Sequence, residues 1–192
     1  MFVTPNMIRG MEQLYGVPNY REFVIPCGPD EISRISCSQK HGRDHDVTCY
    51  IRKGEHIVVI AKHFYPPGLY RAPSGGIHPN EDFEVGAKRE IAEECGCTIA
   101  MSRFLLQTAV QFVDREHEGV RVDWRSFVFL ADYLDGDFQF TDKDEIREVR
   151  LAQVSEFEEF GRIMRTIDRG GFRYRAALHE AVVELASNWL NG

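Results

Sequence analysis

The sequence predicts an α/β/α sandwich, in which a β-sheet is covered on both faces by helices. Three observations carry that expectation. Apolar runs such as Ile57, Val58, Val59, Ile60 and Ala61, or Phe127, Val128, Phe129, Leu130 and Ala131, are strand-sized. A helical pattern over residues 82–95 falls between strand-like segments instead of after them. Two amphipathic helices close the chain.

In order along the chain, residues 5–15 read as a short helix. Thr4 can cap it, Pro5 suits its first turn, Met7, Met11 and Leu14 share a face, and Gly16 stops it. Residues 22–25 suggest a brief strand and residues 30–35 a helical turn. Residues 47–52 and 56–62 are rich in β-branched side chains and are joined by Lys53 and Gly54, which predicts a hairpin. Residues 64–80, with four of the eight prolines, form a loop, and a helix over 82–95 follows, ended by Gly96. Extended stretches at 104–113 and 120–134 flank a charged loop, and 149–154 is a late strand. The two closing helices align Phe157, Phe160, Met164 and Ile167, then Leu178, Val182, Leu185 and Trp189. Trp124 and Trp189 read as core, and His179 as a surface or hydrogen-bonded polar residue.

A chain of 192 residues holds one domain with a sizeable core. Hydrophobic content of 43% and charged content of 28% are those of a soluble protein, and no apolar run could span a bilayer. The N-terminus lacks the basic flank and apolar stretch of a secretory signal. Five irregularly spaced cysteines argue against a disulfide framework and for a reducing cytoplasm. A formal charge of −7 is a poor footing for gripping a nucleic-acid backbone. An anionic small molecule stays compatible with it if a bound cation and local basic side chains supply the attraction.

The chemistry concentrates in residues 75–97. On a helix turning about 100° per residue, Glu90, Glu93 and Glu94 project to one side, and Ala87, Ile91 and Cys95 form an adjoining apolar stripe. Crowded carboxylates repel one another, and a hard divalent cation such as Mg²⁺ or Mn²⁺ relieves that repulsion. Gly75 and Gly76 let the backbone approach a phosphate or offer a carbonyl to a metal. Arg89 can pair with Glu93 one turn on. A solvated glutamate-rich face is the bland alternative for three such glutamates taken alone.

The whole stretch resembles the Nudix box. Gly75, Glu81, Arg89, Glu90, Ile91, Glu93, Glu94 and Gly96 fall in its register, and Cys97 stands where the pattern has a final aliphatic residue. Arg71, Ala72, Pro73 and Ser74 resemble the usual lead-in. The resemblance implies a Nudix-like α/β/α sandwich with a mixed sheet, spanning residues 46–192 with the C-terminal helices. Residues 1–45 are then an N-terminal extension and a candidate homodimer contact.

It also implies a hydrolase in which water attacks a phosphorus of a diphosphate linkage, in a small nucleoside-diphosphate derivative, with Mg²⁺ or Mn²⁺ as cofactor. Carried over, Glu93 and Glu94 are the first metal ligands. Glu90 is a ligand or the base, Arg89 orients it, and the carbonyl of Gly75 or Gly76 completes the shell. A further acid is expected from a later loop, with Glu145 the first candidate and Glu148, Glu116 and Glu118 its rivals. Lys62, His63, Phe64, Tyr65, Tyr70 and Arg71 offer cations and aromatic faces before the glycine turn; Lys62, Tyr70, Arg71 and Gly76 are the substrate-binding candidates. The proline about sixteen residues past the box, usual in ADP-ribose hydrolases of the family, is missing, as are its coenzyme A and NADH patterns.

Two competing readings stand beside this one. A binding module that has lost turnover would have lost box carboxylates, and all are kept here. Cys37, His41, His45 and Cys49, spaced by four with Cys27 upstream, could ligate zinc. Gly42 and the strand-like residues after Asp46 speak against the continuous helix such spacing needs.

Overall fold

The structure, a computed structural model, describes residues 2–186; Trp189 lies outside them. Helix α1 (Pro5–Tyr15) starts at Thr4, whose hydroxyl accepts the Met7 N–H at 3.3 Å, and ends at Gly16 with φ of +85°. Met11 is buried as expected, but Leu14 is 65% exposed. Tyr15, a full turn beyond Met11, takes its place: its ring meets Phe129 edge-on at 6.0 Å and its hydroxyl donates to Glu84.

The next two elements are longer than their local pattern. Strand β1 (Asn19–Cys27) pairs in parallel with residues 106–114 along its whole length, so its extent is set by a distant partner. Helix α2 (Pro29–Lys40) buries Ile32 and shows solvent a polar face that periodicity does not register. It carries Cys37 to within 3.9 Å of His41, but His45 and Cys49 are buried in the following strand and the zinc constellation does not assemble.

Strands β2 (His45–Lys53) and β3 (His56–Lys62) form the hairpin, turned at Gly54 with φ of +61°. The two-residue β4 (Ser74–Gly75) pairs with β2 inside the long loop. Helix α3 (Phe83–Cys95) follows, then β5 (Cys97–Asp114), β6 (Arg121–Gly136), β7 (Ile146–Ala152), α4 (Glu156–Thr166) and α5 (Gly170–Ala186). The main sheet runs β1-β5-β6-β2-β3-β7 and is mixed: β1 with β5 and β2 with β6 are parallel, the other neighbours antiparallel.

Central strands are apolar on both faces because helices cover both. Along β2, Val47, Cys49 and Ile51 face α1 and α3, while Tyr50 faces α4 and α5. On β6, Phe127, Phe129 and Ala131 share the first side, and Val128 and Leu130 the second. Truncating Phe129, fully buried and stacked on Phe104 at 4.4 Å, would cost about 3–5 kcal/mol. Trp124 is partly buried against the second side.

Helices α4 and α5 bury Phe157, Phe160 and Met164, and Leu178 and Val182, as their periodicity predicts. His179 does not sit at the surface. It is 2% exposed, its Nδ1 has no partner among the described residues, and burial pushes its imidazole down to about 3, so it stays neutral. His179 follows Leu178 on the side of α5 that faces Tyr50 and Phe157, which its single-residue character could not reveal.

Candidate active site

Helix α3 is fixed at both ends by local chemistry. Asp82 caps it, accepting the Glu84 and Val85 N–H groups at 3.0 and 3.1 Å, and Gly96 closes it in the left-handed region at φ of +62°. Ala87, Ile91 and Cys95 are buried against the sheet, as the stripe predicted. The opposite side of the helix therefore faces the glycine turn.

The fit of that turn is tight. A Cβ on Gly75 would lie 1.9 Å from Glu90 Oε2, so Glu90 would have to move. Glu90 Oε1 accepts the Gly76 N–H at 3.1 Å, and Glu94 Oε2 accepts the Ser74 N–H at 2.9 Å. Two carboxylates one turn apart are thus held by main-chain donors of one loop.

Arg89 ties the front of the site together. Its guanidinium donates to both Glu81 oxygens at 2.8 and 3.0 Å, to Glu90 at 3.0 Å, to Glu93 at 3.2 Å and to the Gly76 carbonyl at 3.0 Å. Arg89 in turn holds the Glu81 carboxyl down at about 2. Glu93 is the outlying member of the trio: its side chain is half exposed and bonded to Arg89.

Glu94 is the buried one. Burial pushes its carboxyl above the usual range; Arg71, Lys62 and the Ser74 amide pull it back without cancelling that effect, and Glu90 adds repulsion. Arg71 is buried too, with its donors on Tyr65, Ala72 and Ser74 and one nitrogen 3.5 Å from Glu94. Burial works against its charge, but Tyr65 and Glu94 outweigh that and raise its pKa.

Carboxylate oxygens of Glu94, Asp142 and Glu145 lie within 4.8 Å of one another. The loop before β7 is brought there by the backbone, because the Glu93 carbonyl accepts the Thr141 and Asp142 N–H groups at 3.0 and 3.1 Å. Lys62 lies between, bonded to Glu145 and 4.0 Å from Glu94; its bond holds the Glu145 carboxyl below the usual range. Three hard oxygen donors around a carboxylate whose burial is not fully offset suit a divalent cation.

The sequence candidates thus separate. Glu94, Glu145 and Lys62 come together, with Glu90, Arg89, Gly75 and Gly76 against them. Arg71 is sealed beneath, where its cationic donors serve the protein. Tyr70 turns to Glu148, with Arg150 over its ring at 4.0 Å, and Glu116 and Glu118 stay on the exposed β5–β6 loop. Asp142 was missed, although it stands three residues before Glu145 in the same acidic run. Arg43 was missed as well; its side chain lies over Gly76, where a Cβ would meet it at 2.5 Å.

Comparison with known proteins bears on the family and the fold. A family model described as the NUDIX domain matches residues 42–169, more than half of the chain. Among solved structures, a NUDIX hydrolase from Nitrosomonas europaea is similar at 21% identity and a TM-score of 0.52, over 77% of this chain and 72% of that one. A UDP-X diphosphatase aligns at 19% identity and a TM-score of 0.46 over 64% of this chain; the chain spans 59% of that protein's length. At such identities the likeness is one of fold. No curated protein matches.

Proposed function

The chain belongs to the NUDIX domain family, and from that premise we propose that it hydrolyses the diphosphate linkage of a nucleoside-diphosphate derivative with the help of Mg²⁺ or Mn²⁺. One observation carries the reading: buried Glu94 converges with Asp142 and Glu145 beside a glycine turn where any Cβ would push Glu90 or Arg43 aside. Glu94, Asp142 and Glu145, with Glu90 adjoining, would hold the ion. When bound, it supplies charge neutralisation for the diphosphate and a lowered pKa for a coordinated water.

The chain's own groups then have distinct tasks. Glu90 has Oε1 occupied by Gly76 and Arg89, and Oε2 carries no hydrogen bond among the described residues. It takes the proton of the attacking water at Oε2. The water oxygen bonds to phosphorus, the bridging P–O bond breaks, and the leaving phosphate keeps the electron pair. Arg89 fixes Glu90 and Glu93, so the base does not swing away. Lys62 offsets the negative charge of Glu94 and Glu145 at the mouth. Such a site works by positioning and electrostatics.

The test is a hydrolysis screen across nucleoside diphosphate sugars, dinucleotides and nucleoside triphosphates, with Mg²⁺, Mn²⁺ or EDTA. Phosphate-ester products that appear only with metal are expected. A panel without any metal-dependent product would overturn the reading.

A further inference from the structure

A concavity lies beside Arg175, the residue that donates to Ser74 Oγ at 2.9 Å. It is a cavity of about 250 Å³ lined by Arg34, Arg169 and Arg175 and by the rings of Phe64, Tyr65 and Phe172. Drug-sized ligands occupy about 300–1,000 Å³, so it suits one end of a molecule. A hollow of about 220 Å³ shares Arg34 and Arg175 and runs on to Trp124.

Its charge is unusual for an acidic chain. Arg34 and Arg169 are exposed and have no side-chain partner among the described residues. The one acid in the lining, Glu31, accepts the Gly170 and Gly171 N–H groups at 2.9 and 3.0 Å, and the neighbouring Asp168 takes Arg115 and Arg173. Arg175 is anchored from below by Asp46 at 2.8 Å and Ser74 Oγ at 2.9 Å. The three rings pack edge to face, at 4.9 Å for Phe64 with Tyr65 and 5.3 Å for Tyr65 with Phe172, and Phe64 is 63% exposed. Aromatic faces beside unpaired guanidinium groups recognise a flat ring attached to a phosphate.

The cavity also adjoins the carboxylates. Ser74 accepts from Arg175 at its hydroxyl and donates to Glu94 from its amide, and Lys62 stands two residues before Phe64. We propose that this cavity holds the nucleoside monophosphate half of the substrate, with its base on the Phe64 wall and its phosphate on Arg34 and Arg169. The second phosphate of the linkage then extends past Ser74 to the acids. The assignment rests on the diphosphate reading above, yet it is tested separately.

The probes are adenosine, guanosine, cytidine and uridine 5′-monophosphates, the four nucleosides and inorganic phosphate, titrated calorimetrically into the full chain in EDTA. At least one monophosphate is expected to bind about tenfold or more tighter than its nucleoside or phosphate alone. Losing a charge-assisted hydrogen bond costs about tenfold or more in affinity, so Arg34→Met with Arg169→Met should weaken the monophosphate by roughly a hundredfold and raise KM. Neither side chain is bonded to any of the described residues, so a thermal midpoint equal to that of the wild type is expected and confirms folding. Binding of no monophosphate, or equal binding by the folded double variant, overturns the assignment. Arginine-dependent binding without hydrolysis of any diphosphate keeps the cavity and removes the reaction; hydrolysis with an unchanged KM in the double variant does the reverse.

Discussion

On one side of Ser74 the charged side chains are tied to one another, and on the other two arginines have no side-chain partner among the described residues. Around α3 the anions are matched by Arg89, Arg71, Lys62 and the amides of Ser74 and Gly76. In the cavity, Arg34 and Arg169 face solvent with the neighbouring acids spent on Gly170, Gly171, Arg115 and Arg173. The difference teaches where stability and binding reside. The first region is preorganised, so changing its buried members disturbs fold and chemistry together; the second is open, so changing it disturbs ligand alone.

The largest expected effect is at Glu94. Glu94→Gln lowers turnover on the order of 10²–10³-fold, as losing one preorganised charged group does. It also leaves Arg71 buried without an ionic partner, at a cost of about 3–5 kcal/mol. Adding Arg71→Met should restore much of the denaturant midpoint without restoring turnover. Recovery of activity along with stability would show that Glu94 has only a structural part.

Gly75→Ala comes next. Its Cβ must displace Glu90, which costs about 1–3 kcal/mol of overpacking and, by moving a catalytic carboxylate, roughly a hundredfold in turnover. Kinetics and thermal melting of one preparation read both. A variant with wild-type kcat would mean that the Glu90 position is irrelevant.

Glu145→Gln should be milder, because Glu145 is exposed while Glu94 is not. A weakening of Mn²⁺ binding by about tenfold, with the melting temperature kept, is expected from calorimetric titration. Unchanged Mn²⁺ affinity would remove the loop from the site.

The smallest effect concerns pH. Arg89 depresses the Glu81 carboxyl from an ordinary value near 4.5 to about 2. Its stabilising contribution is present above pH 4.5 and is lost as pH falls towards 2. Glu81→Gln should therefore flatten that limb of the melting temperature against pH curve. An identical acid limb in both proteins would remove the ion pair from the stability of the box.

The two regions also differ in how far they could be read in advance. The box lies in one contiguous helix and turn, where spacing converts directly into geometry, so Glu90, Glu94, Arg89 and the glycines were legible. Asp142 was not, because two amides bonded to the Glu93 carbonyl bring it in, and backbone bonds between distant segments leave no side-chain pattern. Arg34, Arg169 and Arg175 come from α2, the α4–α5 junction and α5; each alone is an ordinary surface cation. The same holds for the fold: periodicity located α3, α4 and the β2–β3 hairpin, whereas β1 and α2 owe their length to β5 and to a polar outer face.

Hydrolysis in ¹⁸O-enriched water, with and without Mg²⁺, for wild type and Glu94→Gln, tests the central claim most directly. One heavy oxygen in a product phosphate, formed only with metal and only by the wild type at a measurable rate, is the expected result. Product that forms in EDTA, that carries no label, or that Glu94→Gln makes at the wild-type rate would contradict it.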